Sequence, residues 1–338
     1  MPLPRLSRSW WPIAFLLLGA ALVACGGSGL SFDESSGRLK VVSSVSPITS
    51  IVENIGCGRI DLIGVIPEGE DSHTYEPPAA VARALSQADL VILNGLFLEE
   101  PLLDMAEANK RPDAEIVLLG DQAITQGQWK FDFSFPREQG KPNPHLWPSV
   151  RLTMRYAEIV RDALVRKDPT NRDYYEANYN AFRQRLEELD RAMAEATATV
   201  PPQNRKLLTY HDSWAYWADD YGFQVIGAIQ PSDFSEPSAQ EVAQLIDQIR
   251  QERVPAIFGS EVFPSRVLNQ IANETGARYV TDLADDDLPG KPGDRMHSYI
   301  GLMVQNMKAM IPALGGDASA MDRVDPGLVC RDGSHARY

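Results

Sequence analysis

Imidazole is the side chain that most often binds first-row divalent metals, and this chain carries five: His73, His145, His211, His297 and His335. Taken singly, each is more often packed or solvated than a ligand. Position singles out three. His73 ends Glu68-Gly69-Glu70-Asp71-Ser72-His73, a polar loop between a strand pattern and a helix pattern. His145 closes a long loop in Pro142-Asn143-Pro144-His145-Leu146-Trp147. His211 follows directly on the strand pattern Leu207 to Tyr210, and an acidic run, Asp285-Asp286-Asp287, follows the last strand pattern. Three neutral imidazoles and one carboxylate make a four-coordinate site suited to Zn(II). Other first-row divalents also accept imidazole, whereas Mg(II) and Ca(II) want mostly oxygen. The spacing is not local, unlike a His-Glu-x-x-His helix face, so spacing alone leaves the ligand set open.

Elements that could gather these residues are legible. Strand patterns at Val41–Val45, Asp61–Ile66, Leu90–Leu93 and Ile116–Leu119 alternate with helical stretches at Pro47–Ile55, Pro77–Gln87 and Glu99–Asn109. Leu90-Val91-Ile92-Leu93 is apolar throughout, as in a buried parallel sheet. Residues 126–148 form a long polar and aromatic loop, of a length that usually carries function or is disordered. Residues 171–199 hold no Gly or Pro, and Tyr175, Tyr179, Phe182 and Leu186 recur at helical spacing. They predict one helix about 40 Å long, stopped by Pro201-Pro202. A second series follows: strands at Leu207–Tyr210, Gln224–Ala228, Ala256–Gly259 and Arg278–Val280, and helices at Asp212–Tyr221, Ser238–Glu252, Arg266–Thr275 and Ser298–Met310. Ser238 to Glu241 reads as a capping box. The expectation is an α/β fold of two lobes, each a mainly parallel sheet flanked by helices, joined by one long backbone helix. The lobes span residues 39–168 and 201–315, with the linking helix at 169–200 and a tail at 316–338. All four candidate positions fall at the carboxyl side of strands or in loops before helices, the edge where open α/β sheets bind ligands. Closing a cleft between the lobes would bring three imidazoles and a carboxylate together.

The N-terminus reads as a secretory signal. Arg5 and Arg8 precede a short apolar run from Ile13 to Ala24. Leu22-Val23-Ala24-Cys25 is a bacterial lipobox, which predicts cleavage before Cys25, a diacylglycerol on its thiol and a tether over 25–38. The alternative is an uncleaved anchor helix. The chain has 338 residues and a net charge of −14; removing residues 1–24 takes away two arginines and no acid, leaving −16. So acidic a surface excludes nucleic acid as a partner. Cys57 and Cys330 remain, an even pair suited to an oxidising compartment. They are candidates for a disulfide tying the tail to the first lobe, with two free thiols as the alternative.

Four segments, in order, carry a resemblance over about residues 39–313: Ser72-His73-Thr74-Tyr75-Glu76-Pro77, Asn143-Pro144-His145-Leu146-Trp147, Tyr210-His211-Asp212-Ser213-Trp214-Ala215-Tyr216 and Asp286-Asp287-Leu288-Pro289-Gly290. The chain resembles the zinc- and manganese-binding proteins of ABC metal importers, the helical-backbone class of solute-binding proteins. The resemblance implies His73, His145, His211 and Asp286 as ligands, with Asp285 and Asp287 as rivals of Asp286. A His at the third position leans to zinc, with manganese next. Zinc members often carry a His-rich acidic loop, and residues 126–148 hold no such run. The implied role is capture of a divalent metal outside the cytoplasm, periplasmic or on the outer face, and delivery to an ABC permease. The protein would be lipid-anchored, expected as a monomer and not an enzyme. The ligands should be exposed before binding, the motion small, and affinity should fall below about pH 6.5.

Three rival readings stand beside it: a zinc hydrolase, which needs an open metal position and a base such as Glu261, a metal-binding surface adhesin, and a siderophore- or cobalamin-binding protein, which would line the cleft with aromatics and Arg instead of convergent histidines. Glu261 is also a candidate for orienting an imidazole or for a hinge salt bridge. His297 reads as a helix-start residue and His335 as solvated. Trp147, Trp214 and Trp217 read as packing, and Ser213 beside His211 and Asp212 is no triad, because adjacent residues point apart.

Overall fold

Short apolar strands separated by amphipathic stretches should pair in parallel and bury both sheet faces under helices. The computed structural model describes residues 30–262, 266–281, 283–330 and 335–337. The signal segment and Cys25 lie outside the described residues.

Lobe 1 runs β1 (Leu39–Ser43), α1 (Ser46–Gly56), β2 (Ile60–Gly64), α2 (Ala79–Gln87), β3 (Leu90–Leu93), α3 (Glu100–Asn109), β4 (Glu115–Leu118), a short α4 (Leu119–Ala123) and α5 (Val150–Lys167). The long α6 (Arg172–Ala198) leads to lobe 2: β5 (Lys206–Thr209), α7 (Ala215–Tyr221), β6 (Gln224–Ala228), α8 (Ala239–Glu252), β7 (Ala256–Phe258), α9 (Arg266–Thr275), β8 (Arg278–Val280) and α10 (Tyr299–Ala313). Each lobe has one four-stranded parallel sheet, ordered β2-β1-β3-β4 and β6-β5-β7-β8. The two orders match strand for strand, so the lobes share one topology. No helix among the described residues is long and apolar enough to cross a membrane.

Sequence reading places no element at residues 149–168, yet an 18-residue helix, α5, stands there. Its signal was present. Ser149 caps it by accepting the Leu152 N–H, and Thr153, Tyr156, Ala157, Val160 and Leu164 bury one face at helical spacing. Four arginines on the other face dilute the apolar pattern.

α6 spans 27 residues, about 40 Å at 1.5 Å per residue. It packs on α1 and α5 of lobe 1 and on α7 and α10 of lobe 2. One continuous apolar core joins the lobe 1 sheet, α6 and α10 to Trp214, Trp217 and Phe258 of lobe 2. The outer half of lobe 2 has its own core around Leu208, Ile246, Ile257 and Leu268. Lobes that share buried surface cannot swing widely without exposing it, at about 25 cal/mol per Å².

The chain crosses between lobes a second time. After α10 the tail runs back over α6, where Arg185 donates to the Gly327 and Leu328 carbonyls. Cys330 is disulfide-bonded to Cys57. Arg337 then pairs with the β2 edge at Ile63 and ion-pairs with Asp61. Asp61 also accepts the Asp33 N–H at 2.7 Å, so both ends of the described chain meet near the amino end of β2.

Candidate functional site

The loop after β2 is shaped by its own polar side chains. Asp71 accepts the His73 N–H at 2.9 Å and the Thr74 hydroxyl at 3.0 Å, an Asx-type turn that sets the direction of His73. Gly69 sits at φ +86°, a left-handed conformation a side chain would oppose. Its N–H donates to both carboxylate oxygens of Asp287, at 3.0 and 2.9 Å, across the lobe boundary. Asp287 is therefore engaged away from the imidazoles.

His145 is held by Asn143, whose Oδ1 accepts its backbone N–H at 3.0 Å and faces its Nδ1 at 2.8 Å. An amide oxygen only accepts, so Nδ1 carries the proton and Nε2 keeps its lone pair. The Asn143 amide nitrogen donates to Asp132 at 2.9 Å and to the Asp212 carbonyl at 2.6 Å, which settles the orientation of the amide. His211 follows β5, and its Nδ1 faces Asp285 Oδ2 at 3.5 Å, so its Nε2 also points inward.

The three Nε2 atoms converge from both lobes. His73 Nε2 lies 3.1 Å from His145 Nε2 and 3.3 Å from His211 Nε2. Tetrahedral bonds of about 2.05 Å separate donor nitrogens by about 3.3 Å, so the spacing suits a zinc-sized cation. His145 also shares a metal-sized space with Asp285 and Asp286, all donor atoms lying within 4.8 Å of one another. Asp286 Oδ2 accepts the Ser72 hydroxyl at 2.8 Å, while its Oδ1 is buried without a hydrogen-bond partner. A buried acceptor left unpaired is costly unless a cation or water meets it.

Burial dominates the electrostatics. It holds the imidazoles of His73 and His145 well below their usual range, aided by the other imidazoles nearby. Burial, and next the charges of neighbouring acids, keep Asp285 and Asp286 well above the ordinary carboxylate range. His73, His145, Asp285 and Asp286 are thus pushed toward their neutral forms, an arrangement that a divalent cation would reorganise. The expectation of exposed ligands is corrected: His145, His211, Asp285 and Asp286 are all buried, because the lobes are closed on one another.

Glu261 departs from the imidazole-orienting expectation. Its Oε1 accepts the backbone N–H groups of Asp285, Asp286 and Asp287 at 2.9, 2.9 and 3.1 Å. It anchors the acidic loop rather than a histidine. His297 stands 3.8 Å from Glu68 and His335 3.5 Å from Glu53, apart from the convergent trio. Trp147 does more than pack: its indole N–H donates to the Asp285 carbonyl at 2.7 Å across the lobes. Sequence reading missed Ser72 and Asn143 as supporting residues, although both flank the quoted histidines. It also missed Phe135 and Phe234, which lie against His73 and for which no local signal exists.

Comparisons with known proteins place the chain among metal-binding relatives. The chain is 28% identical over 304 residues to the manganese-binding lipoprotein MntA of Halalkalibacterium halodurans, covering 89% of this chain and 97% of that one. It is 29% identical over 304 residues to the manganese ABC transporter substrate-binding lipoprotein PsaA of Streptococcus anginosus, covering 87% and 94%. The periplasmic zinc-binding protein TroA of Treponema pallidum superposes with a TM-score of 0.75 at 27% identity, over 82% of this chain and 99% of that one. The manganese-bound periplasmic metal-binding protein of Candidatus Liberibacter asiaticus superposes with a TM-score of 0.71 at 27% identity, over 81% and 98%. Residues 41–313 match the family described as zinc-uptake complex component A, periplasmic (ZnuA). The chain belongs to that family, the metal-binding substrate-binding proteins of ABC transporters, which bind their cargo without turning it over.

Proposed function

We propose that this protein captures one divalent transition-metal ion, zinc by preference and manganese next, with His73, His145, His211 and Asp286. It then passes the ion to an ABC permease. The observation that carries the reading is the convergence of three Nε2 atoms from two lobes at 3.1 and 3.3 Å. Ser72 and Asn143 hold two of the ligands in position, and the buried, partnerless Asp286 Oδ1 is the oxygen that completes the set. The protein acts outside the cytoplasm, lipid-anchored through Cys25, as the lipobox suggests; MntA and PsaA are likewise named lipoproteins.

Manganese has a specific observation in its favour. Asp285 and Asp286 both adjoin His145, so the site can offer two carboxylates and become richer in oxygen, the donor manganese prefers. Metal content by mass spectrometry, after equal zinc and manganese are offered to the protein from residue 26 onward, decides between them. One ion per chain is expected, lost in His73→Ala and in Asp286→Ala. Retention of the ion in both variants would sink the ligand assignment.

A further inference from the structure

Two phenyl rings, one from each lobe, close one side of the imidazole trio. Phe234 lies flat on His73, with ring centroids 4.4 Å apart and planes inclined by 17°. Phe135 meets His73 at 5.5 Å and His145 edge-on at 5.7 Å. The two phenyls stand 5.9 Å apart. Beyond them is a cavity of about 170 Å³ whose walls include Phe135, Phe234, Leu96, Phe97 and Lys141; His73 is the only one of the three imidazoles that lines it.

The loops bearing the two rings are fastened together. Ser134 is buried, donates its N–H to Asp212 at 2.9 Å and donates its hydroxyl to the Gln230 carbonyl at 2.7 Å. Phe234 sits four residues beyond Gln230, in a turn closed by its own N–H on the Pro231 carbonyl at 3.0 Å. Its φ of +58° lies in the left-handed region, which a bulky residue adopts only when its surroundings hold it there. A half-buried aromatic on a surface turn, kept in an unfavourable backbone state and laid flat on a candidate ligand, is placed to cover that ligand.

We propose that Phe234, backed by Phe135, is the gate of the metal site. The cavity is the passage to solvent, and an ion reaches or leaves the imidazoles only when the Phe234 ring lifts from His73. The proposal rests on the ligand assignment above. With the ring down, water cannot reach the His73 nitrogen to replace the imidazole as a ligand. The Ser134 bonds make the two rings respond together when the lobes part.

A gate raises the barrier equally in both directions, so its removal speeds entry and exit together and leaves the equilibrium nearly unchanged. A ring that merely props His73 in place would, when removed, speed exit alone and weaken binding. Stopped-flow measurements on the chain from residue 26 onward separate the two, with Zn(II) for association and a chromogenic chelator in excess for dissociation. Phe234→Ala should raise both rate constants about tenfold, with Kd changed by no more than about threefold. Phe234→Leu, which keeps an apolar side chain in the turn, should raise both less, and Ser134→Ala should do the same with both rings intact. Faster release with proportionally weaker binding, or rates equal to wild type in Phe234→Ala and Phe234→Leu, overturns the gate while leaving the metal site standing. A wild-type protein that takes up no zinc overturns the ligand assignment and the gate with it.

Discussion

The Ser72 hydroxyl of lobe 1 donates to the Asp286 carboxylate of lobe 2 across 2.8 Å. The donor adjoins one candidate ligand in sequence, and the acceptor is another. A single hydrogen bond thus couples the relative position of the lobes to the geometry of the site.

Ser72→Ala should therefore weaken metal binding without removing a ligand. Loss of a hydrogen bond that orients a ligand typically costs 10–100-fold in affinity. We expect about tenfold weaker zinc binding in a competitive chelator titration, with the melting temperature within a few degrees of wild type. Unchanged affinity would show that Asp286 needs no orientation from lobe 1.

Asn143→Ala removes the acceptor that selects the tautomer of His145. The ring would then divide between two tautomers, one of which points an N–H at the metal. Affinity should fall by about 10–100-fold. Nitrogen-15 NMR should report the Nδ1-protonated form of His145 in wild type and a mixture in the variant.

The pH dependence follows from the direction of each shift. His73 and His145 are held well below 6.5, so they stay neutral into mildly acidic solution and do not set the limit near pH 6.5 that the sequence suggests. Asp285 and Asp286 are raised, so their protons must leave before an oxygen can ligate. Affinity should rise with pH until those carboxyls ionise unaided, and binding should release protons below that point. Titration calorimetry in two buffers of different ionisation enthalpy should detect net proton release on zinc binding in mildly acidic solution. No release would contradict a protonated carboxyl in the metal-free site.

Glu53, remote from the trio, affects stability instead. Burial raises its carboxyl from 4.5 to about 7. Below about 4.5 it is protonated in both folded and unfolded chains and costs nothing. As pH rises to about 7 the unfolded form ionises first, so stability is progressively lost, on the order of 3 kcal/mol above that pH. Glu53→Gln keeps an acceptor for the Ala336 N–H. It should raise the melting temperature at pH 8 and leave it nearly unchanged at pH 4.

Cys57–Cys330 closes a span of 273 residues. Chain-entropy arguments give such a cross-link about 5.6 kcal/mol, and removing a natural disulfide commonly costs about 2–5 kcal/mol. Reduction, or Cys57→Ser with Cys330→Ser, should lower the denaturant midpoint accordingly while zinc stoichiometry stays at one.

What the sequence revealed followed from local chemistry. Leu90-Val91-Ile92-Leu93 announces a buried strand because four adjacent apolar residues suit a sheet covered on both faces. His211 was legible because it follows a strand, and His73 and His145 because each stands in a polar loop ahead of a helix. α5 was missed although Ser149 and its buried face were in view, because arginines broke up the apolar run. The grip of Glu261 on three successive amides, the flat placement of Phe234 on His73 and the return of the tail to β2 were not legible. Each joins residues far apart in the chain, and only packing sets their distance.

β1 begins at Leu39, and the imidazoles stand beyond the opposite, carboxyl ends of the strands. A lipid on Cys25 would therefore attach to the far side of lobe 1 from the mouth of the site. About 14 residues separate Cys25 from Leu39. Phe32 is buried in the core and the Asp33 N–H is bound to Asp61, so the body is held from Phe32 onward, and the chain between it and Cys25 could span at most about 25 Å. An anchor so close to the body would keep the far side of lobe 1 toward the bilayer and turn the mouth of the site away from it.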